Sequence, residues 1–325
     1  MAVHVDRSLR LPDDEYFAEP QAKNGIALHH TVCDKARTTL MLWRRDRTAG
    51  GKPKRVATAF VIDRDGTIFQ AFDPACWAFQ FGLSWARSDR IPFERRFIGI
   101  EIASEGGLLE HDGRLYAYDR VAPHFEKSPD EALDCGTPYR GFRWFDRYEP
   151  AQLTALGGLV DELCARFSIP RVYPAQPFLY YGDALRSFNG VIGHAMVRSD
   201  KSDPAPDPDL WRTLERLAGL VPTPISPSPL ATAIATPLTD VEVEALFTRN
   251  MRRLDRMSVA AGSLVKTLLM ELERRDVYLK LATPAPGGRS VGYDVVQGDR
   301  DEVIHLGRAL GFMRVTEQEL EVWRA

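Results

Sequence analysis

The chain has 325 residues, 44% hydrophobic and 27% charged, with a formal net charge of −3. That length suits two domains and that composition an ordinary globular protein, and so balanced a charge gives no electrostatic case for a nucleic-acid partner or an anionic membrane surface. No stretch reaches the roughly 18 uncharged apolar residues of a spanning helix, so no integral membrane segment is expected.

The first residues, MAVHVDRSLRLPDDEYFAEP, lack the basic start and apolar run of a signal peptide. The expectation is synthesis in the cytoplasm, with any outside target reached by another device. In chain order, Ile26 to His30 reads as a short buried strand, and KARTTLMLWRRD has helical spacing with Leu40 and Trp43 on one side. RVATAFVIDRDGTIFQAFD predicts a hairpin: two strand-like runs flank Asp63-Arg64-Asp65-Gly66, and a tip glycine supplies the positive φ such turns need. DRDG also opens calcium loops, but those need further oxygen ligands and a distal Glu, and strand residues follow here at once. RRFIGIEIASEGG predicts a strand over Phe97 to Ile102 ending in a glycine loop, and GLLEHDGRLYAYD a smaller hairpin with His111 at its exposed tip. DRYEPAQLTALGGLVDELCARFSIP predicts a long amphipathic helix stopped by Ser-Ile-Pro.

Strands interspersed with helices predict an α/β fold: one mixed central β-sheet flanked by helices, over residues 1–220. VPTPISPSPLATAIATPLTD, residues 221–240, is rich in Pro, Thr, Ser and Ala with no charge before Asp240, and reads as an extended linker. Residues 241–325 then read as a smaller, mostly helical α+β module. Phe247, Met251, Leu254, Leu264, Leu268 and Leu272 recur at helical intervals, DVYLKLAT and SVGYDVVQ look like strands, and RDEVIHLGRALGF is helical again. Its arginines are interleaved with Glu242, Glu244, Asp255, Glu271, Glu273 and Asp276, the pattern of a solvated face.

The four cysteines, Cys33, Cys76, Cys135 and Cys164, show no Cys-x-x-Cys spacing, and no disulfide framework is expected. Cys164 falls on the apolar side of the long helix as core filling. Cys33 stands four residues after His29, and is read as a buried or merely nearby thiol in preference to a ligand or nucleophile.

A hydrolytic metal centre needs three protein N or O ligands with a fourth position open, a carboxylate outside them to take a proton, and a cation facing the oxyanion. Of seven histidines, His29 and His30 close a predicted strand and His194 follows a glycine, places where a ligand is held rigidly; His4, His111, His124 and His305 fall in tails, tips or polar loops. Neighbours on an extended chain leave on opposite faces, so at most one of His29 and His30 points at a given ion, and strand parity alone does not say which.

Four segments in order, IALHHTV, VIDRDGTIFQAF, IGIEIASEGGL and GHAMVRSDKSDP, resemble the zinc-dependent N-acetylmuramoyl-L-alanine amidases and the related peptidoglycan recognition proteins. The likeness runs from Leu11 to Trp211 and takes in YRGFRWFDRYEPAQ, which resembles the lead-in to the family's long helix. It implies Zn2+ held by His29, His194 and Asp203, with Asp203 preferred to Asp200 because Lys201-Ser202-Asp203-Pro204 matches the family's third-ligand pattern; Pro204 also biases Asp203 towards an extended backbone. It further implies Glu101 as general base and Lys201 as oxyanion support, acting on the bond between N-acetylmuramic acid and L-alanine in peptidoglycan or a muropeptide. Thr58 and Ala59 stand where many members carry an aromatic or His-containing pair, and Gln80 where His is common, so an assisting tyrosine and one chargeable group are missing.

Two further readings accompany this one. A non-catalytic recognition module would bind peptidoglycan without cutting it, although such relatives typically lose a ligand and none is lost here. A muropeptide-recycling enzyme would act in the cytoplasm, whereas a lysin or exported effector would act on the wall after release or export. The tail favours the last pair, as a module that binds cell wall or a delivery protein.

Overall fold

The computed structural model describes residues 4–226 except 49 and 84, and then 248–254, 265–270, 272, 278–281, 290–297, 303, 314–315 and 319–321. The chain divides into two compact units, Met1–Ser226 and Pro227–Ala325. Among the described residues no helix is long and apolar enough to cross a membrane.

The first unit is organised by strands whose apolar runs are buried on both faces, as parallel strands are when helices cover a sheet. In chain order the strands are β1 (Val5–Asp6), β2 (Gly25–His30), β3 (Phe60–Ile62), β4 (Ile68–Gln70) and β5 (Phe97–Ile102), all but β1 largely buried. After them come β6 (Gly107–His111), β7 (Arg114–Tyr116), β8 (Glu126–Lys127), β9 (Ala132–Tyr139), β10 (Phe142–Asp146), β11 (Val172–Pro174), β12 (Gly190–Gly193) and β13 (Val221–Thr223). Six of them form the central mixed sheet, in the order β1-β4-β3-β5-β2-β12. Its pairings are parallel except for the β3–β4 hairpin, which turns at Asp63–Gly66 with Gly66 at φ 86.

The helices are α1 (Ala36–Trp43), α2 (Arg87–Arg96), α3 (Pro150–Phe167) and α4 (Pro208–Ala218). α3 begins with Pro150 at its first turn and a reciprocal cap between Glu149 and Gln152, and stops at Ser168 in the left-handed region, φ 55. Its buried face, Leu153, Leu156, Leu159, Val160, Leu163 and Cys164, joins Ile26, Leu28, Ile98 and Ile100 of the sheet in one core. Each such side chain contributes about 1.5–3 kcal/mol on burial. Cys164 is core filling, as its position on the helix predicts.

The strand at Ile26–His30, the first helix, both hairpins, the Phe97–Ile102 strand and the long helix all form where the sequence places them, and His111 sits exposed at its tip. Three features of the first unit go beyond the expectation. The smaller hairpin is part of a five-stranded antiparallel sheet, β8-β7-β6-β10-β9, with its own small core at Leu108, Leu115, Ala117 and Ala132. α2 carries Pro92 inside and buries only Phe93 and Glu94, so it shows no apolar stripe to read. Val221–Thr223, expected as the start of the linker, instead pairs in parallel with β11 and belongs to the first unit.

In the second unit, β14 (Tyr278–Leu281) and β15 (Ser290–Gln297) pair antiparallel where strands are expected. β16 (Arg314–Val315) and β17 (Glu319–Glu321) extend them to a four-stranded sheet that the sequence does not signal. Residues 248–254 and 265–270 are helical, within the expected helical stretch. Residues 227–240 of the expected linker, and His305, lie outside the described residues.

Candidate metal centre and catalytic cleft

His29 and two side chains that follow it by more than 160 residues, His194 and Asp203, meet at one end of the central sheet. β2 and β12 are neighbouring parallel strands, and their register sets Gly193 beside Leu28, which brings His194 level with His29. The loop after His194 then turns back, with the Ala195 amide donating to the Asp203 carbonyl at 2.8 Å. Gly193 is required for this close return, since a Cβ there would stand 2.6 Å from Cδ of Pro204.

The result is a tight triangle. His29 Nδ1 lies 3.1 Å from His194 Nδ1 and 3.1 Å from Asp203 Oδ2, and His194 Nδ1 lies 2.9 Å from the same oxygen. All three residues are buried, and they are the group of metal-ligating side chains that converges among the described residues. Burial alone would raise the Asp203 carboxyl, but the two imidazoles outweigh it and hold the group well below the usual carboxylate range.

Strand register also separates the two adjacent histidines. In the β2–β5 ladder His29 pairs with Glu101 and His30 with Ile102, and paired residues share a face. His29 therefore joins Glu101 and the triangle. His30 is buried apart from the triangle against Gly106, where burial lowers its pKa. Cys33 is buried with its thiol near the Lys35 carbonyl and takes no part. Asp200 is engaged by Arg198, whose Nε donates to Oδ1 at 2.8 Å, and it too stays outside the triangle.

The hydrogen bonds on the far side of each imidazole decide its tautomer. The Phe81 carbonyl oxygen only accepts, so the His194 Nε2 that lies 2.8 Å away must carry the hydrogen. Gln80 donates its amide to the Phe97 carbonyl, which turns its Oε1 towards His29 Nε2 at 3.4 Å. With those hydrogens placed, a neutral ring presents its Nδ1 lone pair to the carboxylate oxygen, and a charged ring presents a second N–H. With both rings neutral, three acceptors this close repel one another unless a cation lies among them. Ligand atoms at about 2.0–2.1 Å from a tetrahedral ion stand roughly 3.3 Å apart, near the separations here, so the residues fit a bound metal.

The triangle forms one wall of a cleft of about 450 Å³, which Glu101 and Lys201 also line. Glu101 has its Oε2 buried without a hydrogen-bond partner among the described residues, and burial pushes its pKa up to about 7 despite the pull of His29. Lys201 is partly exposed, its Nζ 3.9 Å from Asp200 Oδ2. The five predicted site residues thus share one cleft. The Thr58 hydroxyl is engaged with the Phe60 carbonyl and supplies no group to it.

Sequence reasoning missed the groups behind the histidines. Phe81 acts through its backbone, which no residue pattern reveals. Glu94, fully buried on α2, accepts from the amides of Gln80 and Phe81 at 2.9 and 3.3 Å and so holds the segment that faces both rings. Two amide donors do not offset its burial, which raises its pKa to about 7.

Comparison with known proteins places this site in a family. The comparison with curated proteins finds no match. Among solved structures, a mutant endolysin from Bacillus subtilis is 14% identical over 67% of this chain and 100% of its own, with a TM-score of 0.39. The amidase AmiD from E. coli, solved with the substrate anhydro-N-acetylmuramic acid-L-Ala-D-gamma-Glu-L-Lys, is 20% identical over 72% of this chain and 73% of its own, with a TM-score of 0.38. AmpDh3 from Pseudomonas aeruginosa, solved with anhydromuramic pentapeptide, is 18% identical over 61% of this chain and 62% of its own, with a TM-score of 0.35. The family model for N-acetylmuramoyl-L-alanine amidase matches residues 19–206, more than half of the chain and all five residues of the cleft, and the chain belongs to that family of peptidoglycan amide hydrolases.

Proposed function

We propose that Zn2+ is the ion that His29, His194 and Asp203 hold, and that Glu101 and Lys201 carry the proton and the oxyanion in hydrolysis of the bond between N-acetylmuramic acid and L-alanine. The observation that supports this reading is the convergence of two imidazole nitrogens and one carboxylate oxygen within 3.1 Å. Two nitrogens with one oxygen suit zinc, whereas Mg2+ and Ca2+ favour all-oxygen sets. Bound there, the ion supplies Lewis acidity that makes water a nucleophile near neutral pH and polarises the scissile carbonyl.

The chain's own groups handle the proton and the charge. Glu101, beside His29, takes a proton from the attacking water and returns it to the L-alanine nitrogen as the C–N bond breaks. The Lys201 ammonium donates to the carbonyl oxygen as that atom becomes negative. Water adds across the amide, leaving a lactyl carboxylate and a free stem-peptide amine. Mass spectrometry of sacculi and of soluble muropeptides incubated with the protein, with and without a chelator, tests the reading and the substrate form. A released stem peptide that the chelator abolishes supports it; intact material in every arm overturns it.

The action is assigned to the cell wall, reached after release or export, and residues 241–325 to binding of wall or of a delivery protein. Sedimentation with sacculi of the full chain, compared with a chain ending at Ser226, tests the wall option. Equal binding by both leaves the second unit to a protein partner.

A further inference from the structure

We infer that Arg140 is a positioning residue for the catalytic loop, and that through it the five-stranded antiparallel sheet holds His194 and Lys201 in place. The inference rests on the assignment of His194 and Asp203 as metal ligands.

Between those two residues the chain makes an excursion that carries Lys201 into the cleft. Its ends are secured from below: His194 follows β12, and Asp203 is tied by the amide of Ala195. The stretch between them is tied by two guanidiniums: Arg198, within it, donates to the carbonyls of Phe81 and Gly82 at 3.2 and 2.9 Å, and Arg140 holds it from the side of the five-stranded sheet. Arg140 Nη2 donates to the carbonyl of Ala195 at 3.2 Å and Nη1 to the carbonyl of Ser199 at 2.9 Å. Ala195 is next to His194, and Ser199 is two residues before Lys201.

Arg140 lies in the tight connection between β9 and β10, in the left-handed region at φ 51, followed by Gly141 at φ 86. A non-glycine residue there carries backbone strain, held by its surroundings. Its guanidinium lies 5.5 Å from the ring centre of Tyr139 and 5.8 Å from that of Tyr180, so the planar head is flanked by aromatic faces. A planar fork can bridge two carbonyls at once, which an ammonium on a flexible stem does not reproduce. Arg140 touches neither the ligand atoms nor the space where substrate would sit; it acts through the loop.

The test uses the full zinc-loaded chain and the variants Arg140→Ala and Arg140→Lys. Zinc is withdrawn with a chromophoric chelator to read its affinity, and stem-peptide release gives kcat and KM separately. Loss of a group that orients a metal-bearing loop weakens metal affinity or activity by about 10–100-fold. We expect that loss in zinc affinity and kcat for both variants, with KM within about threefold, an unfolding midpoint close to wild type, and partial recovery of Arg140→Ala with millimolar guanidinium. Wild-type affinity and kcat in Arg140→Ala would overturn the inference. So would full restoration by Arg140→Lys, which would show that charge alone matters, or losses that track unfolding with no response to guanidinium. A wild-type chain that binds no zinc would instead sink the ligand assignment.

Discussion

Glu101 stands directly opposite His29 in the register of two parallel strands, so the proposed proton acceptor and a proposed metal ligand share one face of the sheet. Neither residue needs a loop to bring it there, and both inherit the rigidity of the central sheet.

Replacing Glu101 with Gln keeps the shape and removes the proton acceptor. General-base catalysis contributes about 10²–10⁴-fold, and a loss of kcat in that range is expected with zinc content unchanged. Stability should hold or rise, because the burial that pushes Glu101 up to about 7 penalises a carboxylate and spares an amide. Stem-peptide release beside thermal unfolding checks both halves.

Asp203, as a proposed ligand, would link the metal to the fold. An ion that binds only the native state raises the unfolding midpoint by mass action. A chelator should therefore lower the midpoint of the wild type by several degrees and leave Asp203→Ala unmoved. Calorimetry of both proteins, with and without chelator, decides it; equal shifts would show that this carboxylate is not a ligand.

Gln80 tests the tautomer argument. Its Oε1 faces His29 Nε2 at 3.4 Å, so Gln80→Leu leaves that N–H without an acceptor. Outer partners of metal-binding histidines typically contribute 10–100-fold in affinity, and chelator competition should show zinc affinity reduced by about tenfold or more. Unchanged affinity would mean the ring needs no such partner.

Glu94 should make stability depend on pH. Its ordinary value is 4.5, and burial raises it to about 7 in the folded chain. Between those values the folded state keeps a proton that the unfolded state has lost, so stability falls as pH rises across that window and levels off above it. Glu94→Gln keeps an acceptor for the Gln80 and Phe81 amides and cannot ionise. It should flatten the decline and add on the order of 3 kcal/mol at pH 8. Denaturant unfolding across pH 4 to 8 measures this.

Much of the fold was legible because its signals are local. The alternation of apolar residues marks Phe97–Ile102, Asp63–Gly66 marks its hairpin turn, and the long apolar stripe with a Ser-Ile-Pro stop marks α3. Val221–Thr223 misled for the same reason: Pro222 and the prolines that follow read as linker, while a parallel partner 49 residues earlier holds it. α2 stayed hidden because Pro92 and a charged surface mask its one buried turn.

The residue types, their order and their family pattern were all in the sequence, and so were the five groups of the cleft. The choice of His29 over His30 came from the family pattern alone, because side chains alternate along a strand and only the register against β5 and β12 fixes the face. The Phe81 carbonyl, the Glu94 carboxyl and the Arg140 fork behind the site were not legible. These act through backbone atoms and distant pairings, and no local pattern of side chains encodes where a carbonyl will point once the chain has folded.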